Sequence, residues 1–233
     1  LSDRGEAGRR LAARLLHLKD ADPVVYALPR GGLPVAVPVA AALGAPLDLL
    51  LVRKIGAPGQ PELALGAVVE GEPPQTVVNE DVVEMLDIPA DLVSGQAAEQ
   101  LAELERRRRL WLRGRVPVPP YGRTAILVDD GVATGATVRA ALLALGRAGA
   151  ARRVLAVPVA PPEVAEALRR DCDEAVFLAT PSLFGSVGAF YEDFREIEDG
   201  EVAALLAGAT ERGGQEALTG PIRRALPSGR SGA

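Results

Sequence analysis

The chain has little of what most catalytic chemistry uses. It holds one cysteine, Cys172, and one histidine, His17, in 233 residues. A lone cysteine excludes an intrachain disulfide and any multi-cysteine metal site, and nothing around Cys172 marks a nucleophile. His17 shares a helical face with Arg10 and Arg14, where a solvated residue is expected, which argues against a Ser-His-Asp hydrolase. The segment Phe184-Gly185-Ser186-Val187-Gly188 also fails as a nucleophile elbow, because Phe184 stands where glycine is required. Aromatic residues are only 3%, so the core must be built from Ala, Val and Leu. Lysine is confined to Lys19 and Lys54. Where arginine serves almost everywhere, a remaining lysine is a candidate for a place that needs a compact point charge.

Long apolar runs are missing as well. None approaches the ~20 residues of a membrane span, and Leu1 to Arg10 shows no signal-peptide pattern, so a cytoplasmic location is the expectation. The formal charge of −5 argues against a general nucleic-acid binder. The basic run Arg106 to Arg109 is interleaved with Glu99, Glu103 and Glu105 in one helical pattern, and reads as a solvated, salt-bridged face rather than an RNA patch.

What is present fits one α/β domain, with 48% apolar residues and enough length for a sizeable core. Ser2 to Lys19 reads as a helix. Val24 to Leu28 reads as a core strand, followed by Pro29-Arg30-Gly31-Gly32 and a helix over Leu33 to Leu43. Leu47 to Val52 is expected as a second strand ending in Arg53-Lys54. The Gly and Pro punctuation of Ile55 to Ala67 predicts a long loop of the kind that closes over a site. Leu65 to Glu70 and Thr76 to Asn79 read as a hairpin, Asp81 to Leu86 as a short helix and Ala90 to Arg113 as a long one. Val154 to Val159 and Ala175 to Leu178 read as strands around a helix at Pro162 to Arg170. This alternation implies a doubly wound parallel sheet, with ligands beyond the carboxyl ends of its strands. Glu201 to Leu206 is expected as a short helix, and residues from Gly208 onward as a disordered or loosely held tail.

The chain is organised around residues 125–137, Ala-Ile-Leu-Val-Asp-Asp-Gly-Val-Ala-Thr-Gly-Ala-Thr. Four apolar residues form a buried strand, two carboxylates follow, and a turn of small and hydroxyl residues leads into a helix carrying Val138, Ala141, Leu142 and Leu145. A helix start presents unpaired N–H groups and partial positive charge. Ala133, Thr134, Gly135, Ala136 and Thr137 are therefore a phosphate-binding turn. Asp129 and Asp130 would repel that phosphate, and suit hydroxyls or a cation held by the same ligand. A sugar phosphate carries all of these groups. An ordinary crossover, with the acids merely capping the helix, is the bland alternative. The paired Gly31 and Gly32 allow backbone geometries closed to other residues, so that N–H groups could line an anion beside Arg30. A tight strand-to-helix turn would look the same.

The thirteen-residue segment resembles the phosphoribosyl pyrophosphate (PRPP) signature of type I phosphoribosyltransferases. That resemblance implies that Asp129 and Asp130 contact the ribose hydroxyls and its metal, that Ala133 to Thr137 hold the 5′-phosphate, and that Arg30, Gly31 and Gly32 form the pyrophosphate loop. It implies catalytic charge neutralisation by Arg53 and Lys54 at the root of a flexible loop, Mg²⁺ as cofactor, and a hood insertion over residues 55–113. One departure stands out: several purine-salvage members carry an Asp at the position of Ala133, where it acts as general base. Further segments, Arg53-Lys54-Ile55-Gly56, Pro61-Glu62-Leu63-Ala64 and Gly185-Ser186-Val187-Gly188 with Tyr191, resemble a bacterial group of phosphoribosyltransferase-domain proteins. The likeness runs from Asp3 to about Glu201. The expectation is a phosphoribosyltransferase domain over residues 1–200 and a tail over 201–233. Its partners would be PRPP and a small-molecule acceptor, a nucleobase, with a homodimer left open. The alternative is a non-catalytic PRPP or nucleotide sensor of the same fold.

Overall fold

The structure is a computed structural model that describes residues 1–219 apart from Glu72 and Arg113. Asp3 opens helix α1 (Arg4–Leu15), its carboxylate accepting the Glu6 N–H at 2.7 Å. Strand β1 (Pro23–Ala27) is wholly buried, and α2 (Gly32–Leu43) ends at Gly44, which adopts a left-handed conformation. A short strand β2 (Leu47–Leu49) is followed by β3 (Val52–Ala57), β4 (Gln60–Val69) and β5 (Gln75–Val78). Helices α3 (Glu80–Met85) and α4 (Ala90–Leu112) come next. The chain then returns through β6 (Thr124–Val128), α5 (Ala136–Arg147), β7 (Arg152–Val159), α6 (Pro162–Arg170) and β8 (Glu174–Ala179) to a last helix, α7 (Asp199–Thr219).

Five strands form one parallel sheet in the order β2-β1-β6-β7-β8. Alternate side chains leave a strand on opposite faces, and both faces are covered here. Val25, Ala27, Ile126 and Val128 join the core under α1 and α2. Val24, Tyr26, Ala125 and Leu127 join the core that includes Val138, Leu142 and Leu145 of α5 and Leu168 of α6. The near-continuous apolar strands follow from this double burial. The expected doubly wound α/β fold is therefore present, with a small subsheet of order β3-β4-β5 attached.

Three expectations change. Residues 55–67 are not a long loop: β3 and β4 pair antiparallel across a tight turn at Pro58-Gly59, where Gly59 has φ +73°. Irregular register at Gly56 hides the alternation, which is why the segment reads as punctuation rather than strand. Secondly, β2 stops at Leu49, so Arg53 and Lys54 lie inside β3 of the second sheet rather than at the end of a core strand. Finally, the expected short helix at Glu201–Leu206 is part of a helix from Asp199 to Thr219, which takes in residues 208–219 of the expected tail. Residues 220–233 of that tail lie outside the described residues. The Leu65–Glu70 and Thr76–Asn79 hairpin is present as β4 and β5. No described helix is long and apolar enough to cross a membrane.

Candidate functional site

β1 and β6 are neighbours in the parallel sheet, so the loops after them meet. Leu28 N–H extends the ladder to Val128 O at 2.9 Å, and the chain enters Arg30 through a cis Pro29–Arg30 peptide. Gly31 lies directly against Asp130: a Cβ built on it would stand 1.9 Å from Asp130 Oδ2. Gly32 is as tightly enclosed, since a Cβ there would stand 2.7 Å from the Val128 carbonyl oxygen and 3.0 Å from Asp129 Cα. The two sequence segments singled out, 30–32 and 129–130, are thus in contact. The Gly32 N–H, however, is spent on Leu28 O at 3.0 Å, so it is not a free donor for an anion.

Asp129 Oδ1 accepts the Asp130 N–H at 2.9 Å. Asp130 is held by three residues. Arg4 Nε donates to Asp130 Oδ2 at 2.8 Å, and the two side chains are 10% and 14% exposed. The Tyr191 hydroxyl donates to the Asp130 carbonyl at 2.6 Å, and Gly31 packs against the same Oδ2 that Arg4 holds. Burial, reinforced by the charge of Asp130, pushes the Asp129 carboxyl well above the usual carboxylate range. Burial also raises Asp130, against the opposing pull of Arg4.

The turn after the acids behaves differently. Val132 N–H is tied to Val159 O at 2.9 Å. Among the described residues, none of the N–H groups from Ala133 to Thr137 meets a protein acceptor. Gly135 caps α5 with φ +82°, a left-handed conformation that side-chain-bearing residues rarely adopt. Ala133 and Thr134 are exposed, and Ala136 and Thr137 are half-buried. Unpartnered amides at a helix start are donors of the kind an anion can use. A cavity of about 500 Å³ runs beside α5 and is bounded by Gly66, Ala67, Val77 and Arg139. It touches the turn only at Ala136 and is lined by neither carboxylate.

The remaining candidates scatter. The Arg30 guanidinium pairs with Glu196 and stands 3.7 Å from Asp199 Oδ1. Arg53 turns toward α4, its Nε donating to Gln100 Oε1 at 3.0 Å, and no described contact joins it to the acids. Lys54, the next residue along the pleat, lies on the opposite face of β3, which Val52 shares with the core around α5. His17 is exposed and sits 3.0 Å from Glu174. Burial raises the Cys172 thiol, the wrong direction for a nucleophile. The Arg106–Arg109 run is engaged by acids: Arg106 and Arg107 by Glu103 at 2.7 Å each, Arg108 by Glu70, and Arg109 by Glu105 at 3.7 Å. Sequence reading misses Arg4 entirely. It stands 126 positions from its partner and carries no local signal.

A family model described as "Phosphoribosyl transferase domain" matches residues 3–191. Two proteins from two strains of Mycobacterium tuberculosis, provisionally named phosphoribosyl transferases, are each 48% identical over 204 residues. The match takes in 88% of this chain and 46% of each relative, so the chain spans about half the length of these curated relatives. A crystal structure of the protein TT1426 from Thermus thermophilus superposes with a TM-score of 0.79 at 44% identity, covering 89% of this chain and 98% of that one.

Proposed function

The chain belongs to the phosphoribosyl transferase domain family, and from that membership we propose that it binds PRPP with Mg²⁺ and transfers the 5-phosphoribosyl group to a nitrogenous base. The observation that carries this reading is the run of unpartnered amides at 133–137, beside two half-buried carboxylates at the carboxyl end of the central strand β6. In the proposal, Thr134, Gly135, Ala136 and Thr137, with the Ala133 amide, hold the 5′-phosphate. Asp129 and Asp130 accept hydrogen bonds from the ribose hydroxyls. Arg30 and the Gly31-Gly32 backbone flank the pyrophosphate. Lys54 lies on the α5-facing side of the small sheet and is the cation of β3 suited to the leaving group. Arg53 faces α4 and would serve only after the small sheet moves.

Mg²⁺ fits as an ion carried in with the ligand. The two aspartates supply hard oxygens, and among the described residues no cluster of three or more His, Cys, Asp or Glu forms a protein-only cage. Asp129 and Asp130 would hold it, and when bound it would offset charge on the pyrophosphate. In the reaction a nitrogen lone pair of the base forms the new bond to ribose C1. The C1–O bond breaks, and pyrophosphate leaves with that electron pair. The protein's part is to position the two reactants, exclude water and place positive charge where pyrophosphate develops it. The turn has Ala133 where a general base could stand, so proton removal from the base falls to another group or to solvent.

Calorimetric titration with Mg²⁺ and PRPP tests the site. Wild type is expected to bind, and Asp130→Asn to bind about tenfold or more weakly, as loss of a charge-assisted acceptor implies. Equal affinities would remove the acids from the site. A panel of nucleobases assayed for pyrophosphate release tests turnover. Binding without release under every base would favour the second reading, a PRPP sensor, which the absence of an acid at Ala133 supports.

A further inference from the structure

We infer that Arg4 is a positioning residue for the ligand-binding acid pair, acting through Asp130; the inference rests on the phosphoribosyl reading of that pair. Among the described residues Arg4 and Asp48 are the buried charged side chains, and Arg4 is 8% exposed. Its three contacts fix the guanidinium plane. Nε meets Asp130 Oδ2 at 2.8 Å, Nη1 donates to the Arg195 carbonyl at 2.9 Å, and the Phe194 ring centre lies 3.9 Å from Cζ. A guanidinium held by charge, carbonyl and aromatic face together has little freedom left.

The backbone that carries Arg4 is pinned to the same segment. The main-chain nitrogen of Leu1 donates to Phe190 O at 3.1 Å. Glu192 and Asp193 N–H groups donate to Leu1 O and Ser2 O, both at 2.9 Å. The segment 190–195 therefore grips the start of α1, presents Phe194 and Arg195 to Arg4, and sends the Tyr191 hydroxyl to the Asp130 backbone. Asp130 is fixed at its carboxylate by Arg4 and at its carbonyl by Tyr191.

The contact has a chemical consequence. Arg4 reaches only Oδ2, through Nε, and among the described residues no other residue donates a hydrogen bond to Oδ1. One oxygen is thus committed to orientation while the other can accept from a hydroxyl. The guanidinium also cancels one of two adjacent negative charges, which lowers the repulsion felt by a pyrophosphate approaching Arg30. Groups that orient a ligand-contacting carboxylate are costly to lose even though they never touch the ligand.

The test is a double-mutant cycle in PRPP affinity, measured by calorimetry with Mg²⁺ on wild type, Arg4→Gln, Asp130→Asn and the double variant. Arg4→Gln is expected to weaken PRPP binding about ten- to hundred-fold, and Arg4→Lys, which keeps the charge, to recover part of that loss. In the Asp130→Asn background, Arg4→Gln should cost little more, because the residues act as a unit. Wild-type affinity in Arg4→Gln would overturn the inference, as would losses that simply add in the double variant. If Arg4→Gln does not fold, Arg4→Lys carries the same cycle, with a several-fold loss expected and equality with wild type overturning it. A wild-type protein that does not bind PRPP would overturn the phosphoribosyl reading itself, and this inference with it.

Discussion

Gly31 has φ −64° and ψ −33°, a conformation open to any residue. The sequence suggests that the paired glycines are there for unusual backbone geometry. The structure gives another reason: Gly31 must be small because Asp130 occupies the space a side chain would fill, with Oδ2 at 1.9 Å and Cγ at 2.5 Å from the Cβ position. The carboxylate cannot simply swing away, since Arg4 holds it. Gly31→Ala is therefore expected to displace Asp130. Overpacking of this kind costs about 1–3 kcal/mol, or a fall in Tm of roughly 2–12 °C for a domain of this size. PRPP affinity should fall by at least about tenfold, since small misplacements of site groups are expensive. Calorimetry beside a thermal melt checks both. A variant that melts lower yet binds PRPP as wild type would show that the Gly31–Asp130 contact is packing alone. At this scale the acid pair and the turn are legible in the sequence, because strand, acids and helix start follow one another in the chain. Arg4 is not, because only the tertiary fold brings residue 4 to residue 130.

The segment between β8 and α7 shows how an element without regular structure can organise a site. Beyond its grip on α1, its Glu196 pairs with Arg30, the cation proposed for pyrophosphate. Glu196 is 72% exposed and Arg30 31%, so the pair contributes at most about 1 kcal/mol. That is weak enough for an incoming polyanion to displace, yet it still competes. Glu196→Gln should therefore strengthen binding of inorganic pyrophosphate, by up to about fivefold for 1 kcal/mol, and most clearly at low salt, where ion pairs are least screened. Unchanged pyrophosphate affinity at low salt would show that Arg30 is not the anion's partner. The aromatic cluster in this segment admits two readings, core packing or stacking on a base. Tyr191 is 8% exposed and packs on Phe194 with ring centres 5.0 Å apart, which supports packing. The parallel strands are readable as buried apolar runs. The β3–β4 hairpin is not, because its glycines, alanines and prolines mask the alternation that pairing requires.

In the whole molecule, α7 ties the parts that form the site. It packs against α2, α4 and β2. At its start Asp199 accepts the Trp111 indole N–H of α4 at 3.1 Å, and farther along the Leu206 carbonyl accepts from Arg115 at 2.9 Å. Val202 and Leu206 are 0% and 1% exposed, in the same core as α1, α2 and the inner face of the sheet. Composition could not reveal this. The stretch from Glu201 is mostly alanine, leucine and glycine, whose apolar face becomes meaningful only against a partner surface. Nor could it show that the helix starts beside Arg30, with Asp199 within 3.7 Å of the guanidinium. If α7 is part of the cooperative core, Leu206→Ala removes packing that nothing else supplies. The expected cost is about 2–5 kcal/mol, or a Tm lower by roughly 4–20 °C, in a single transition. The urea m-value should not change, because the same surface is exposed on unfolding. PRPP affinity of the folded variant should remain near wild type, since Leu206 touches neither the acids nor the turn. A Tm within about 2 °C of wild type, the shift expected for less than 1 kcal/mol, would mean that α7 is an appendage. The site would then have to be understood without it.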